Sequence, residues 1–198
     1  MHWHDGGPAI LQEILASYAE PTRFYHTELH LAEMTMFLAE HSAAFTSYEN
    51  ILFACLYHDV VYDATKSDNE EQSAARWRVD AQRLGLGPEQ TEQVSILIMA
   101  TKKHQPANDS FDMQLFLDAD LAVLGSDRFR YRRYLIAIRR EYAHVAENAY
   151  REGRIAVLIR PSGYDAEVVY VITLLQNLGR LVVQYHAADE AADRKSVV

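Results

Sequence analysis

The chain is short of cysteine: one in 198 residues, Cys55. No disulfide framework can form within it, and nothing suggests an oxidising compartment. Only 8 Gly and 5 Pro punctuate the sequence, few for an all-β protein full of tight turns. No apolar run approaches the roughly 18–20 residues of a membrane span. The opening Met1-His2-Trp3-His4-Asp5-Gly6-Gly7 lacks a basic region followed by an apolar stretch, so no signal peptide is expected. Basic charge is also scarce. Against 28 Asp+Glu stand 19 Lys+Arg, a net charge of −9, which disfavours bulk nucleic-acid binding. A local basic patch stays open. What is present is an ordinary globular balance, 49% hydrophobic and 24% charged. Length and composition suit a single cytoplasmic domain over 1–198.

The apolar residues recur at helical spacing, so the expected fold class is all-α, with about eight or nine helices. Pro8 opens a helix to about Ala19. A second covers about Thr27 to His41. A third, Tyr48 to about Val60, is apolar nearly all round and reads as central and buried. Ser67-Asp68-Asn69-Glu70 has the form of a capping box, starting a helix that ends near Gly85. Gly87-Pro88 opens the next, to about His104. After a loop over 105–110, Phe111 to Leu124 reads as one helix stopped by Gly125. Asp127 caps an Arg-rich helix to near Val145. Two more helices are expected, near 147–159 and 165–187. The β-branched run Val168 to Ile172 is assigned to the last of these, because its pattern continues through Leu174, Leu175, Leu178 and Leu181. Residues 189–198 read as a frayed tail.

Nine histidines are unevenly placed. His26 and His30, four apart, share a helix face. His58 and Asp59 end the most apolar helix, where a charged carboxylate is costly unless paired or metal-bound. Asp118 and Asp120 repeat the anomaly inside the apolar run Leu115 to Leu124. His104 ends another helix. Imidazole nitrogens with carboxylate oxygens suit divalent transition metals. Each piece also has a plain reading, as a hydrogen-bonded core histidine or as a turn or cap carboxylate.

The order of the pieces (His30, then His58-Asp59, then Asp120) resembles the HD-domain superfamily of metal-dependent phosphohydrolases. Further segments resemble one group of predicted HD phosphohydrolases: Arg23 to His30, Tyr57 to Asp63, Asn69 to Ala74, Ala100 to His104, Phe116 to Leu121, Arg140-Glu141-Tyr142 and Gly153-Arg154. The resemblance covers about 18–160. It implies an HD-type helical bundle whose metal-binding core spans about 20–145, followed by C-terminal helices over 147–187. It also implies a bound divalent metal and hydrolysis of a phosphoester or phosphoanhydride by a metal-activated water.

Carried across, His30, His58, Asp59 and Asp120 are the expected ligands. One ion is expected, Mn, Fe, Co, Ni, Mg or Zn, with a second left open. Asp118 competes with Asp120 and otherwise supports a histidine from the outer shell. His26 and His104 are alternative ligands or contacts to substrate phosphate or water. Asp63 matches one acid of the pair that follows His-Asp in guanosine-tetraphosphate hydrolases, while Tyr62 replaces the other. It is a candidate general base, with Glu70 the second choice beside its capping role.

The stretch from Asp127 to Tyr142 holds six Arg with four interleaved aromatics. It reads as a phosphate or nucleotide clamp or as a solvated face pairing with acids, the latter for most of these arginines. Arg140 and Arg154 are the expected phosphate contacts, with Lys66 and Lys102 after them. The expected substrate is a small phosphorylated molecule, a nucleotide first. The alternatives are a di-iron HD-type oxygenase and a non-catalytic nucleotide-sensing module. No membrane partner is expected, and a homo-oligomer stays open.

Overall fold

The computed structural model describes residues 7–105 and 110–159. Among these the chain is all-helical: eight α-helices, two short 3-10 turns and no strand. The helices are α1 (Gly7–Tyr18), α2 (Glu28–Glu40), α3 (Tyr48–Tyr57), α4 (Asn69–Arg83), α5 (Pro88–Thr101), α6 (Phe111–Asp120), α7 (Arg128–Glu141) and α8 (Glu147–Ile159). Residues through Tyr150 form one compact unit. A second begins at Arg151, and its described part is the end of α8. The helix expected over 165–187 and the tail over 189–198 lie outside the described residues. Among the described residues no helix is long and apolar enough to cross a membrane.

Apolar spacing decides which face each helix buries. α1 buries Ile10, Ile14 and Tyr18, one residue per turn, and α2 buries Leu31, Met34 and Leu38. α3 is buried on almost every side through Ile51, Phe53, Ala54, Cys55 and Tyr57. It packs against α2, α4, α5 and α6, as a helix without a polar face must. α4 contributes Trp77, whose ring lies 4.9 Å from that of Phe53 and 5.0 Å from that of Tyr57. Burying side chains of this size contributes about 1.5–3 kcal/mol each. A smaller cluster of Val123, Tyr134 and Ile138 seats α7.

Several helix ends follow from local chemistry. α4 stops in a Schellman motif. Gly85, at φ +70°, takes the left-handed turn, while the Gly85 and Leu86 amides donate to the carbonyls of Gln82 and Ala81. Pro88 occupies the first turn of α5. The Asp127 carboxylate accepts from the amides of Phe129 and Arg130 and caps α7.

Other ends differ from expectation, and the differences place the polar residues. α3 stops at Tyr57, so His58 and Asp59 sit in the turn beyond it. Arg23 holds that turn from outside. Its guanidinium donates to the carbonyls of Asp59 (2.6 Å) and Val60 (3.1 Å), groups that a helix end leaves without partners. α5 ends at Thr101, three residues before His104. α6 ends at Asp120, and Ala122–Gly125 forms a separate 3-10 turn. The α4 N-cap is Asp68, not Ser67, with no side-chain cap bond. The helix thus begins one residue later than the expected Ser67 cap; the Ser67 carbonyl accepts from Lys102 and the Asp68 carboxylate from Gln72.

Candidate metal centre

Three helix ends converge. His30 projects from the first turn of α2, His58 follows α3, and Asp120 closes α6. The two imidazole Nε2 atoms are 3.3 Å apart. Asp120 Oδ1 lies 3.1 Å from His30 Nε2 and 3.7 Å from His58 Nε2. These three donors form a group that could hold a metal ion. Donors bound at ~2.1 Å to one ion stand about 3–4 Å apart, so the spacing fits. Asp59 reaches the group through Oδ2, 3.1 Å from His58 Nε2.

The tautomers support the fit. His58 Nδ1 lies 2.8 Å from the Cys55 carbonyl, which can only accept, so Nδ1 carries the proton. Its Nε2 then faces His30 Nε2 with a lone pair unless a second proton is added. The His58 lone pair, His30 Nε2 and the Asp120 carboxylate meet at one spot, with the two histidines at 3% and 1% exposure, a buried donor set suited to a cation. An imidazole whose far nitrogen donates to a backbone carbonyl is a common support for a metal ligand. Metal-free, a proton takes the place of the ion. Burial alone would lower the His58 pKa, but the Asp59 and Asp120 carboxylates prevail and raise it to about 9. Burial likewise opposes ionisation of Asp120. Bonds from His104 and His30 outweigh it and hold that carboxyl well below the usual range.

Two further histidines flank the group. His104 Nε2 donates to Asp120 Oδ2 at 3.0 Å. His104 adopts φ +47°, a left-handed conformation that costs a non-glycine residue about 1–2 kcal/mol. His26 Nε2 lies 3.9 Å from Asp59 Oδ2, and its Nδ1 lies 2.7 Å from Glu141 Oε2. Burial works against the His26 cation, yet the Asp59 and Glu141 carboxylates raise its pKa.

The remaining sequence candidates are placed as follows. Asp118 is exposed, since two residues along a helix turn a side chain ~200° from Asp120. Asp63 is exposed, and its Oδ1 accepts from the Thr65 amide (2.8 Å) and hydroxyl (2.7 Å). Glu70 is half-buried. Burial and the charge of Asp59 raise its pKa, so it lies within the field of the centre. Lys66 is exposed. Lys102 pairs with Glu71 and donates to the Ser67 carbonyl. The Arg140 guanidinium lies 3.8 Å from the centre of the Phe24 ring. Arg154 belongs to the second unit.

Sequence reasoning missed Glu141 as a site residue. Its Oε1 accepts from the amides of Phe24 (2.7 Å), Tyr25 (2.7 Å) and His26 (3.1 Å), and its Oε2 from the Tyr62 hydroxyl (3.0 Å) and His26. Burial would raise its pKa, but the His26 and backbone bonds lower it to about 2. The signal was available: Tyr134, Ile138 and Glu141 form the buried stripe of α7, and an acid in an apolar stripe is the anomaly that marked Asp120. Asn69 and Ser73 were also missed. Asn69 exchanges two 3.0 Å bonds with the backbone of Asp63, and Ser73 binds the amide and carbonyl of Val61. Both fasten the segment that carries Asp59. No protein-family model, no curated protein and no solved structure matches the chain.

Proposed function

We propose that this protein is a metal-dependent phosphohydrolase of the HD type. The observation that carries the reading is the convergence of His30 Nε2, His58 Nε2 and Asp120 Oδ1, with Asp59 at its edge. His30, His58, Asp59 and Asp120 would hold a divalent cation. Such a cation supplies an acidified water and neutralises charge on a phosphoryl oxygen. The chain's own groups do the rest. The Cys55 carbonyl fixes the tautomer of His58. His26, set by Glu141, and His104, set against Asp120, lie at the more exposed side of the centre, where a phosphate oxygen would approach. Glu70 has the environment of a proton carrier, half-buried with its pKa raised, whereas the Asp63 carboxylate is engaged with Thr65. The expected substrate is a small phosphorylated molecule, a nucleotide first.

The test is elemental analysis of protein purified without chelators, then a phosphatase and nucleotidase screen with added Mn, Fe, Co, Ni, Mg or Zn. The expected result is at least one ion per chain and metal-dependent phosphate release. Full metal content and activity in Asp59→Ala would overturn the assignment.

One observation favours a second reading, a di-iron oxygenase. His26 beside Asp59 and His104 beside Asp120 provide donors for a second ion. Two irons per chain with substrate-dependent oxygen uptake, and no phosphate release, would select it.

A further inference from the structure

A cation with 4% of its surface exposed is costly unless its donors are taken, and Arg23 is such a cation. Among the described residues its one ion-pair partner is Glu20, exposed and 3.1 Å away. Its remaining bonds go to backbone carbonyls, those of Asp59 (2.6 Å), Val60 (3.1 Å) and His26 (3.4 Å). The guanidinium lies over the rings of Tyr18 and Tyr62, 5.2 and 5.6 Å from their centres. One planar fork thus grips the two segments that bring His26 Nε2 and Asp59 Oδ2 to 3.9 Å.

Capping alone does not account for this arrangement. The carbonyls that end a helix are commonly satisfied by water or by a single side chain. Here the turn after α3 is held by side chains from three other segments. The Asp59 amide donates to the Tyr18 hydroxyl of α1 (3.4 Å), which donates in turn to the Leu56 carbonyl (3.3 Å). Ser73 of α4 takes both backbone groups of Val61. Asp59 is therefore held on both sides, by Tyr18 at its amide and by Arg23 at its carbonyl. Its carboxylate is directed to His58 before any ion arrives, and a preorganised ligand loses less freedom on binding. A lysine ammonium is a single point. It cannot span two consecutive carbonyls and a third on another segment, as the guanidinium fork does.

We infer that Arg23 is a positioning residue of the metal centre. It touches no ion and acts through the backbone. It fixes the Asp59 carboxylate, with the His26 segment beside it, at the spacing an ion needs. The inference rests on the metal reading above and adds to it a residue outside the ligand set.

The test is a cobalt(II) titration of the full chain, followed by visible absorption at saturating cobalt. Arg23→Lys should weaken cobalt binding about 10- to 100-fold, the range for a residue that orients a metal ligand. The spectrum at saturation should also differ from that of the unaltered chain, because a displaced Asp59 changes the geometry around the ion. A purely structural arginine would lower the unfolding midpoint and leave both readings alone. Tyr18→Phe keeps the ring and removes only the hydroxyl at the Asp59 amide, so it should weaken cobalt binding about threefold. It carries the test if Arg23→Lys fails to fold, and unchanged affinity would then overturn the inference. Arg76→Lys makes the same exchange at an α4 arginine bonded to Asp80 and Glu13, and should keep the affinity within about twofold. Unchanged affinity and spectrum in Arg23→Lys, with cobalt bound by the unaltered chain, would overturn this inference alone. So would equal weakening by Arg76→Lys, which would trace the effect to general destabilisation. An unaltered chain that binds no cobalt would overturn the metal reading, and this inference with it.

Discussion

Glu141 is the residue on which most of the site's orientation depends, because one buried carboxylate accepts five hydrogen bonds from four residues. Removing it strands three amides and an imidazole N–H in a buried place. Glu141→Ala should therefore lose about 3 kcal/mol or more in urea unfolding, whereas Tyr62→Phe, which deletes one bond, should lose about 1 kcal/mol. Its acid behaviour has a definite sign. The folded pKa, about 2, lies below the ordinary carboxylate value, so the stability it confers is complete above about pH 4.5 and is lost as pH falls towards 2. Wild type should lose about 3 kcal/mol across that window that Glu141→Gln does not lose. The Asp118 and Asp120 pair gives a second contrast at this scale. Asp120→Asn should release metal measured by elemental analysis, and Asp118→Asn should retain it. Apolar neighbours surround both aspartates in the sequence, so spacing alone left the choice open. Only the direction in which α6 meets α2 and α3 makes one of them face the histidines.

Elements were legible in sequence where their ends are local. The Gly85 turn, Pro88 and the Asp127 cap each act through the nearest few residues, and each marks a helix boundary in the structure. Ends set by distant partners were not legible. α3 stops before His58 because Arg23, 36 and 37 residues away in sequence, takes the carbonyls of Asp59 and Val60. No periodicity records a guanidinium arriving from another segment. The buried Asp80 of α4 shows the same long-range dependence. It accepts from Arg76 (2.6 Å), Arg83 (2.7 Å) and the Tyr57 hydroxyl (3.1 Å), and both arginines continue to Glu13 of α1. Asp80 thus joins three helices at a fully buried point. Asp80→Ala should destabilise the fold by about 3–5 kcal/mol, since two guanidinium groups lose their buried partner. Arg76→Ala, half-exposed, should cost less, about 1 kcal/mol. A denaturation midpoint that falls equally in both variants would show that burial does not decide the effect.

At the scale of the molecule, the site draws on segments from residue 23 to residue 141, so its integrity is a property of the whole first unit. Metal-free, the centre concentrates the carboxylates of Asp59, Asp120 and Glu141 around imidazoles, and it must hold positive charge. His58 shows the consequence for stability. Its folded pKa, about 9, is above the ordinary histidine value, so its contribution is complete below about pH 6.5 and is lost as pH rises from 6.5 through 9. The metal-free protein should therefore lose about 3 kcal/mol over that interval. The metal-loaded protein should hold its stability level across the same interval. A cation displaces the His58 proton, so its apparent affinity should rise about tenfold per pH unit below pH 9. Tighter binding at a fixed free-metal concentration then offsets the metal-free loss by mass action. Thermal unfolding of paired samples, one with chelator and one with excess divalent metal, measures both limbs. The two midpoints should separate as pH increases from 6.5 to 9, and His58→Gln should remove most of the separation. Midpoints that stay parallel across this range would mean that the histidine proton and the cation do not compete for one position, and the centre would have to be redrawn without His58.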